Sequence, residues 1–245
     1  MRSFDLVDFK VLEAQYFLEK MEGFVVIPEI NYLFSAYSSA CRSITFCLQS
    51  VLKDIEGFEV WYFEQQELLK NDPLSRFFVE ARNLSQKVGV VPISGGAGGL
   101  NQNGEMTCTH YFDIENPDFK NLPERDVVSS CREQFVNILN IIYECYVKFG
   151  VHIDAHQYYT AENLKHIGKT IDDADEEIIG IRGWTQVDGW PEAYRWNSLR
   201  DKVPGCRIAD LFVKYLNKHK PHPPIPASEL ENYIEVEWIP PSIKK

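Results

Sequence analysis

The stretch "PLSRFFVEARNLSQKVG", Pro73 to Gly89, reads as one amphipathic helix. Asp72 before it is a natural N-cap, and Pro73 suits the first helical position, where its missing N–H costs nothing. At about 100° per residue, Leu74, Phe77, Phe78, Ala81, Ser85 and Val88 gather on one side, the face for a core. Arg82 sits at the edge of that stripe. Asn83 and Lys87, four residues apart, share the polar side, roughly opposite. A helix with this pattern needs other helices to cover its apolar face, so the stretch predicts a bundle.

The neighbouring sequence supplies those partners. Ile30, Leu33, Phe34, Tyr37, Cys41, Ile44, Leu48, Val51, Leu52 and Ile55 form a three-four stripe closed by Gly57, a long bundle helix. Ser38, Arg42, Thr45 and Gln49 form a polar ridge beside it. If the two helices are neighbours, Arg42 and Arg82 border one groove, and two guanidiniums there can hold a phosphate or carboxylate. Asp5 to Met21 is expected to be a first helix, with Leu6, Phe9, Val11, Leu12, Tyr16 and Phe17 near helical spacing. Phe58 to Asn71 is expected to be a shorter one. Val128, Cys131, Phe135, Ile138, Ile142, Cys145 and Phe149 predict another bundle helix over Arg125 to Phe149.

Between them the texture changes. "VGVVPIS" is β-branched, "MTCTHYFDI" alternates, and "GGAGGLNQNGE" between them reads as a mobile tip, which predicts a protruding β-hairpin over about 88–114. After Gly150, a helix is expected over Thr160 to Ile179 with Thr160 as its N-cap, its "DDADEE" run a solvated face. A loop-rich segment with Trp184, Trp190 and Trp196 follows, then a helix near Arg207 to Asn217. A last strand is expected through Ile234, Val236 and Trp238. The fold expected is mainly α: a helical bundle over 1–150 with a β-hairpin insertion. A helix plus aromatic-rich C-terminal extension, 151–245, is expected to pack on the bundle as one compact unit.

The chain of 245 residues is 44% hydrophobic and 13% aromatic, enough for a substantial core. No apolar run reaches the 18 or so residues of a membrane span, and the charged start lacks a signal-peptide segment, so a cytoplasmic protein without a membrane partner is expected. Six scattered cysteines without a CxxC pair suit free thiols in a reducing compartment. The net charge of −11 works against a broad electrostatic grip on nucleic acid, though not against a small basic cleft.

"FFVEARNLSQKVG", preceded by a long helix containing "AYSSACRSITF", resembles the HEPN superfamily of helical bundles, whose motif is Arg-polar-x(3–5)-His, commonly with Asn after the Arg. The resemblance covers roughly residues 28 to 150. Many members are metal-independent ribonucleases in toxin–antitoxin, phage-defence and CRISPR systems, and others are non-catalytic binding modules. Members usually pair so that two motifs meet between subunits, which implies a homodimer here. Arg82 and Asn83 match the motif, while Lys87 stands at the histidine position. A lysine is an ammonium at neutral pH: it holds phosphate but is a poor base for attack by a 2′-hydroxyl.

Three readings follow. The favoured one is a non-catalytic module with Arg42, Arg82, Asn83 and Lys87 around an anion-binding cleft for RNA, a nucleotide or another anionic ligand, or a protein partner. The second is a ribonuclease in which Arg82 stabilises the phosphorane, Asn83 orients the cleft and Lys87 or a distant histidine moves the proton. The third is a scaffold without chemistry. His110 on the second hairpin strand is the first candidate for a replacement histidine, and His166 the second.

His152, Asp154 and His156 alternate in "VHIDAHQYY" and are weak metal candidates, against a capping or surface role. The tryptophans interleaved with Arg182, Arg195 and Arg200 suit base stacking, but more readily an extension packed by aromatic anchors. "SGGAGG" lacks the phosphate-loop pattern, and no GxSxG, HExxH, Walker, Rossmann or Cys/His zinc signature is present, so no cofactor is expected.

Overall fold

The computed structural model describes residues 3–100, 103–119 and 122–221. The expected strand through Ile234, Val236 and Trp238 lies outside the described residues. The described residues are mainly helical with one small antiparallel hairpin, as their periodicities require. Among the described residues, no helix is long and apolar enough to cross a membrane.

The described residues divide into two compact units, those up to Asp154 with Gly205–Lys220, and Ala155–Pro204 with Pro221. In the first, five helices build the bundle: α1 (Asp5–Glu22), α2 (Glu29–Leu52), α3 (Phe58–Asn71), α4 (Pro73–Val88) and α5 (Val127–Ile153). α4 begins as its sequence predicts, with Asp72 Oδ2 accepting from the Ser75 N–H at 2.9 Å, and stops at Gly89, whose φ of 76° is left-handed.

The buried stripe of α2 runs through Ile30, Phe34, Tyr37, Cys41, Ile44, Leu48 and Leu52, and that of α5 through Cys131, Phe135, Ile138, Ile142, Cys145 and Phe149. On α1 the expected stripe is partly wrong. Leu6, Phe9 and Tyr16 are about half exposed, and the buried row is Val7, Val11, Ala14, Leu18 and Met21, again at three-four spacing. Both rows are helical in period, so only packing against α2 and α5 chooses between them. On α4, Phe77, Phe78 and Ala81 are buried as expected, but Val88 in the last turn is exposed.

The hairpin pairs β1 (Ile93–Leu100) with β2 (Met106–Phe112). The glycines expected in its tip instead form β1 itself, facing Thr107 to Tyr111 across the ladder. Gly96 has a reason to lack a side chain, since a Cβ there would stand 2.8 Å from Nδ1 of His110. The hairpin is anchored by Phe112, whose ring lies 5.0 Å from that of Phe77 and 6.0 Å from that of Phe34. After Gly205 the chain returns to the bundle core with Ile208, Leu211 and Phe212. The helix expected near 207–217 is there a short α10 (Ala209–Leu211) continuing into a wider turn at Phe212–Leu216, stopped by Asn217 at φ 52°.

Asp8 of α1 is buried in the first unit. It accepts the Tyr146 hydroxyl at 2.8 Å and the Arg207 N–H at 3.0 Å, and burial raises its carboxyl to about 6.

The described part of the second unit holds α6 (Ala155–Tyr158), α7 (Ala161–His166), α8 (Ile171–Ile179) and α9 (Glu192–Arg200). Thr160 is an N-cap, as expected, but the single helix predicted to Ile179 breaks at Gly168, φ 72°, and restarts at Thr170 with a capping box. A small core forms from Leu164, Ile171, Ala174, Trp196 and Leu199. The acidic run is not simply a solvated face. Asp175 is fully buried and its Oδ2 accepts from the Thr185 N–H at 3.1 Å and hydroxyl at 2.9 Å. Arg195 reaches Asp172 at 2.5 Å and Asp175 at 3.4 Å, and Arg182 pairs with Asp173. Thr170, then Arg182, holds the Asp173 carboxyl down at about 2.

Candidate functional site

Within the bundle, α2, α3 and α4 enclose a cavity of about 690 Å³, with α5 and Asp118 completing it. That volume lies inside the roughly 300–1,000 Å³ typical of small-molecule sites. α2 and α4 are neighbours, as the groove requires. Ser35 and Ser85 meet through their hydroxyls at 2.5 Å, and the Gln86 amide donates to the Ser39 hydroxyl at 3.0 Å.

The deep part is built from side chains the bundle itself buries: Ser38, Cys41 and Thr45 of α2, Phe78 of α4, and Gln134 and Ile138 of α5. Tyr62 of α3 is fixed across it, donating its hydroxyl to the Thr45 carbonyl at 3.0 Å. Ser75 joins the walls by donating to Gln134 Oε1 at 3.1 Å. Ser38 Oγ is different: it is buried with no hydrogen-bond partner. Burial pushes the Cys41 thiol up to about 12, so it is no nucleophile at neutral pH. Burial also raises the Tyr62 hydroxyl above its usual range.

The mouth is cationic. Arg42, half buried, lies over the Phe46 ring with its guanidinium carbon 4.3 Å from the centroid. Arg76 and Lys87 are exposed, and among the described residues no carboxylate pairs with Arg42, Arg76 or Lys87. Lys70 is already paired with Glu67 at 2.6 Å. Four lining cations (Arg42, Lys70, Arg76, Lys87) less two lining carboxylates (Glu80, Asp118) leave a formal charge of +2, on a chain of net charge −11.

The predicted site residues divide here. Arg42, Asn83 and Lys87 line this one cavity. Asn83 and Lys87 therefore face a cavity of their own chain, flanked by α2 and α3. Arg82 does not line it. Half buried, it donates from a terminal nitrogen to Asn83 Oδ1 at 3.1 Å, while its Nε is buried without a partner. Gln49 is not at the cavity either. Arg76 was missed because a lone arginine in a first helical turn carries no motif; its three-four spacing to Glu80, Asn83 and Lys87 was the available signal.

His110 lies elsewhere: it is 1% exposed, its Nε2 sits 2.8 Å from the Val25 carbonyl, and it is not part of the cavity. His166 is exposed at the end of α7 in the second unit. Of the metal candidates, Asp154 pairs with Lys220 at 3.3 Å, His156 Nε2 lies 3.1 Å from the Val203 carbonyl, and His152 is exposed. Among the described residues, no group of three or more His, Cys, Asp or Glu side chains converges as a metal site would require.

Residues 29–94 are similar to a family described as Bacteriophage lambda protein ea47. The match spans about a quarter of the chain, yet it runs from the first residue of α2 into β1. All the cavity residues except Asp118, Gln134 and Ile138 fall inside it. No curated protein and no solved structure matches the chain.

Proposed function

We propose that this chain is a non-catalytic, HEPN-like binding module that holds an anionic ligand in the α2–α3–α4 cavity. The observation that carries the reading is the convergence of Arg42, Arg76 and Lys87, without acidic partners among the described residues, on a cavity with a buried floor. Guanidiniums without a carboxylate partner, beside an ammonium, suit a phosphate, which Arg binds bidentately and Lys as a point charge. Binding is favoured over cutting because the lining holds no histidine, the thiol is inert, and the lysine in the motif is a poor base.

The homodimer, the cytoplasmic setting and a role in phage defence or a toxin–antitoxin pair belong to the same proposal, on the strength of the HEPN resemblance. The similarity to a phage family is compatible with such a setting, and its description names no activity. Titration with inorganic pyrophosphate tests the site. The protein binds it, binding weakens with added salt, and the double substitution Arg42→Gln, Arg76→Gln lowers affinity at least tenfold. Equal affinity in that variant removes this reading. RNA cleavage in EDTA that is abolished by Arg82→Ala would establish the ribonuclease alternative in its place.

A further inference from the structure

We infer that the cavity takes a small phosphorylated ring compound, ring inward and phosphate at the mouth, rather than a stretch of polynucleotide. The inference rests on the anion-binding reading above and specifies its ligand.

Charge and burial are separated by depth. Arg76 and Lys87 are exposed and Arg42 is half buried, whereas Cys41, Phe78 and Ile138 are buried. A free phosphate or pyrophosphate would satisfy only the cationic mouth and leave the apolar side chains of the floor wet. A ligand that also carries a ring fills the floor and gains from the water it displaces.

The floor is not wholly apolar: Thr45 and Gln134 have hydrogen-bond partners within the bundle, and Ser38 is the informative case. Ser38 is 3% exposed, and its Oγ has no hydrogen-bond partner. A buried hydroxyl left unsatisfied is costly, and native proteins rarely keep one without a use. A ring with a nitrogen or oxygen on its edge would meet that hydroxyl, which points to a heteroaromatic ring over a plain hydrocarbon one.

Size and long-range charge then set the length. A cavity of about 690 Å³ suits a single small ligand. A polynucleotide brings many phosphates to a chain of net charge −11, which repels those that lie beyond the cationic mouth. A single phosphate monoester is attracted by the local +2 and is little affected by the rest.

Calorimetric titration of the whole chain with four probes tests this: inorganic phosphate, phenyl phosphate, a nucleoside 5′-monophosphate and a ten-nucleotide single strand. Phenyl phosphate is expected to bind about tenfold more tightly than inorganic phosphate, and a monophosphate with a polar-edged base more tightly again. Ser38→Ala is expected to fold normally, since it removes an unpartnered hydroxyl. It should lower affinity for the nucleoside monophosphate about tenfold and leave inorganic phosphate unchanged.

If the nucleoside monophosphate binds no better than phenyl phosphate, or if Ser38→Ala leaves its binding unaffected, the polar-edged ring is wrong. Phosphate and phenyl phosphate binding equally, with both lost in Arg42→Gln, Arg76→Gln, would overturn the inference while the anion-binding reading stands. Tighter binding of the ten-nucleotide strand than of any monophosphate would overturn it in favour of RNA. If inorganic phosphate and the others all fail to bind, both fall together.

Discussion

The chain uses arginine in two opposite ways. In the second unit, Arg182 and Arg195 sit among tryptophans in a segment whose residue types would also suit base stacking, yet both are taken by Asp172, Asp173 and Asp175. In the bundle, Arg42 lies on the polar ridge of α2 and Arg76 in a first helical turn without a motif, and among the described residues neither has a carboxylate partner. The lesson is that arginine content says little about ligand binding until the carboxylates are placed. An arginine beside a buried aspartate holds a fold together, and one at the mouth of a cavity is free to hold something else.

The sharpest way to break this comparison is to remove one arginine from each region. Arg195→Ala leaves Asp175 buried with only Thr185, among the described residues, to hold it, and is expected to cost about 3 kcal/mol in urea-induced unfolding. Arg76→Ala, exposed and unpaired, is expected to cost less than about 0.5 kcal/mol. Equal costs would show that the two arginines do the same work.

Asp8 extends the comparison to a buried carboxylate with no cation hydrogen-bonded to it. Its ordinary value is near 3.8 and its folded value about 6. Between those pH values the folded chain holds the proton more often than the unfolded chain does, so this group lowers stability as pH rises from about 4 to 6. The loss reaches up to about 3 kcal/mol above pH 6, at 1.36 kcal/mol for each unit. Asp8→Asn lacks the effect, so the Tm of the wild type relative to this variant is expected to fall across that window. A constant difference between pH 4 and 7 would show that Asp8 is solvated.

A smaller effect is expected in the hairpin. Gly96→Ala places a methyl carbon 2.8 Å from the His110 ring, which the Val25 carbonyl holds in place. The expected cost is about 1–3 kcal/mol, with faster amide exchange across β1 and β2. The smallest effect is that of Ser38→Ala on the unliganded protein, expected to be within about 0.5 kcal/mol of neutral in thermal unfolding, because no hydrogen bond is lost.

How much of this was legible in the sequence depends on the range of the interaction involved. α2, α4 and α5 were readable from a three-four stripe, and the start of α4 from Asp72-Pro73, because caps and helical periods are local. The polar ridge of α2 also pointed to the cavity: Ser38, Arg42 and Thr45 all line it. What was not legible was which of two helical rows on α1 would be buried, whether the glycines would form strand or tip, and which arginine of α4 would join Arg42.

The sequence by itself determined a mainly helical chain with a hairpin, a set of apolar faces and a supply of cations near α2 and α4. Only the tertiary structure decided that Arg76 and Lys87, and not Arg82, meet Arg42, and that the acidic run of α8 neutralises the arginines that follow it. The physical reason is that a helical period places a side chain on a face, while its charge partners come from segments tens of residues away. Which partner arrives depends on how the helices pack, and packing is decided by the whole core at once.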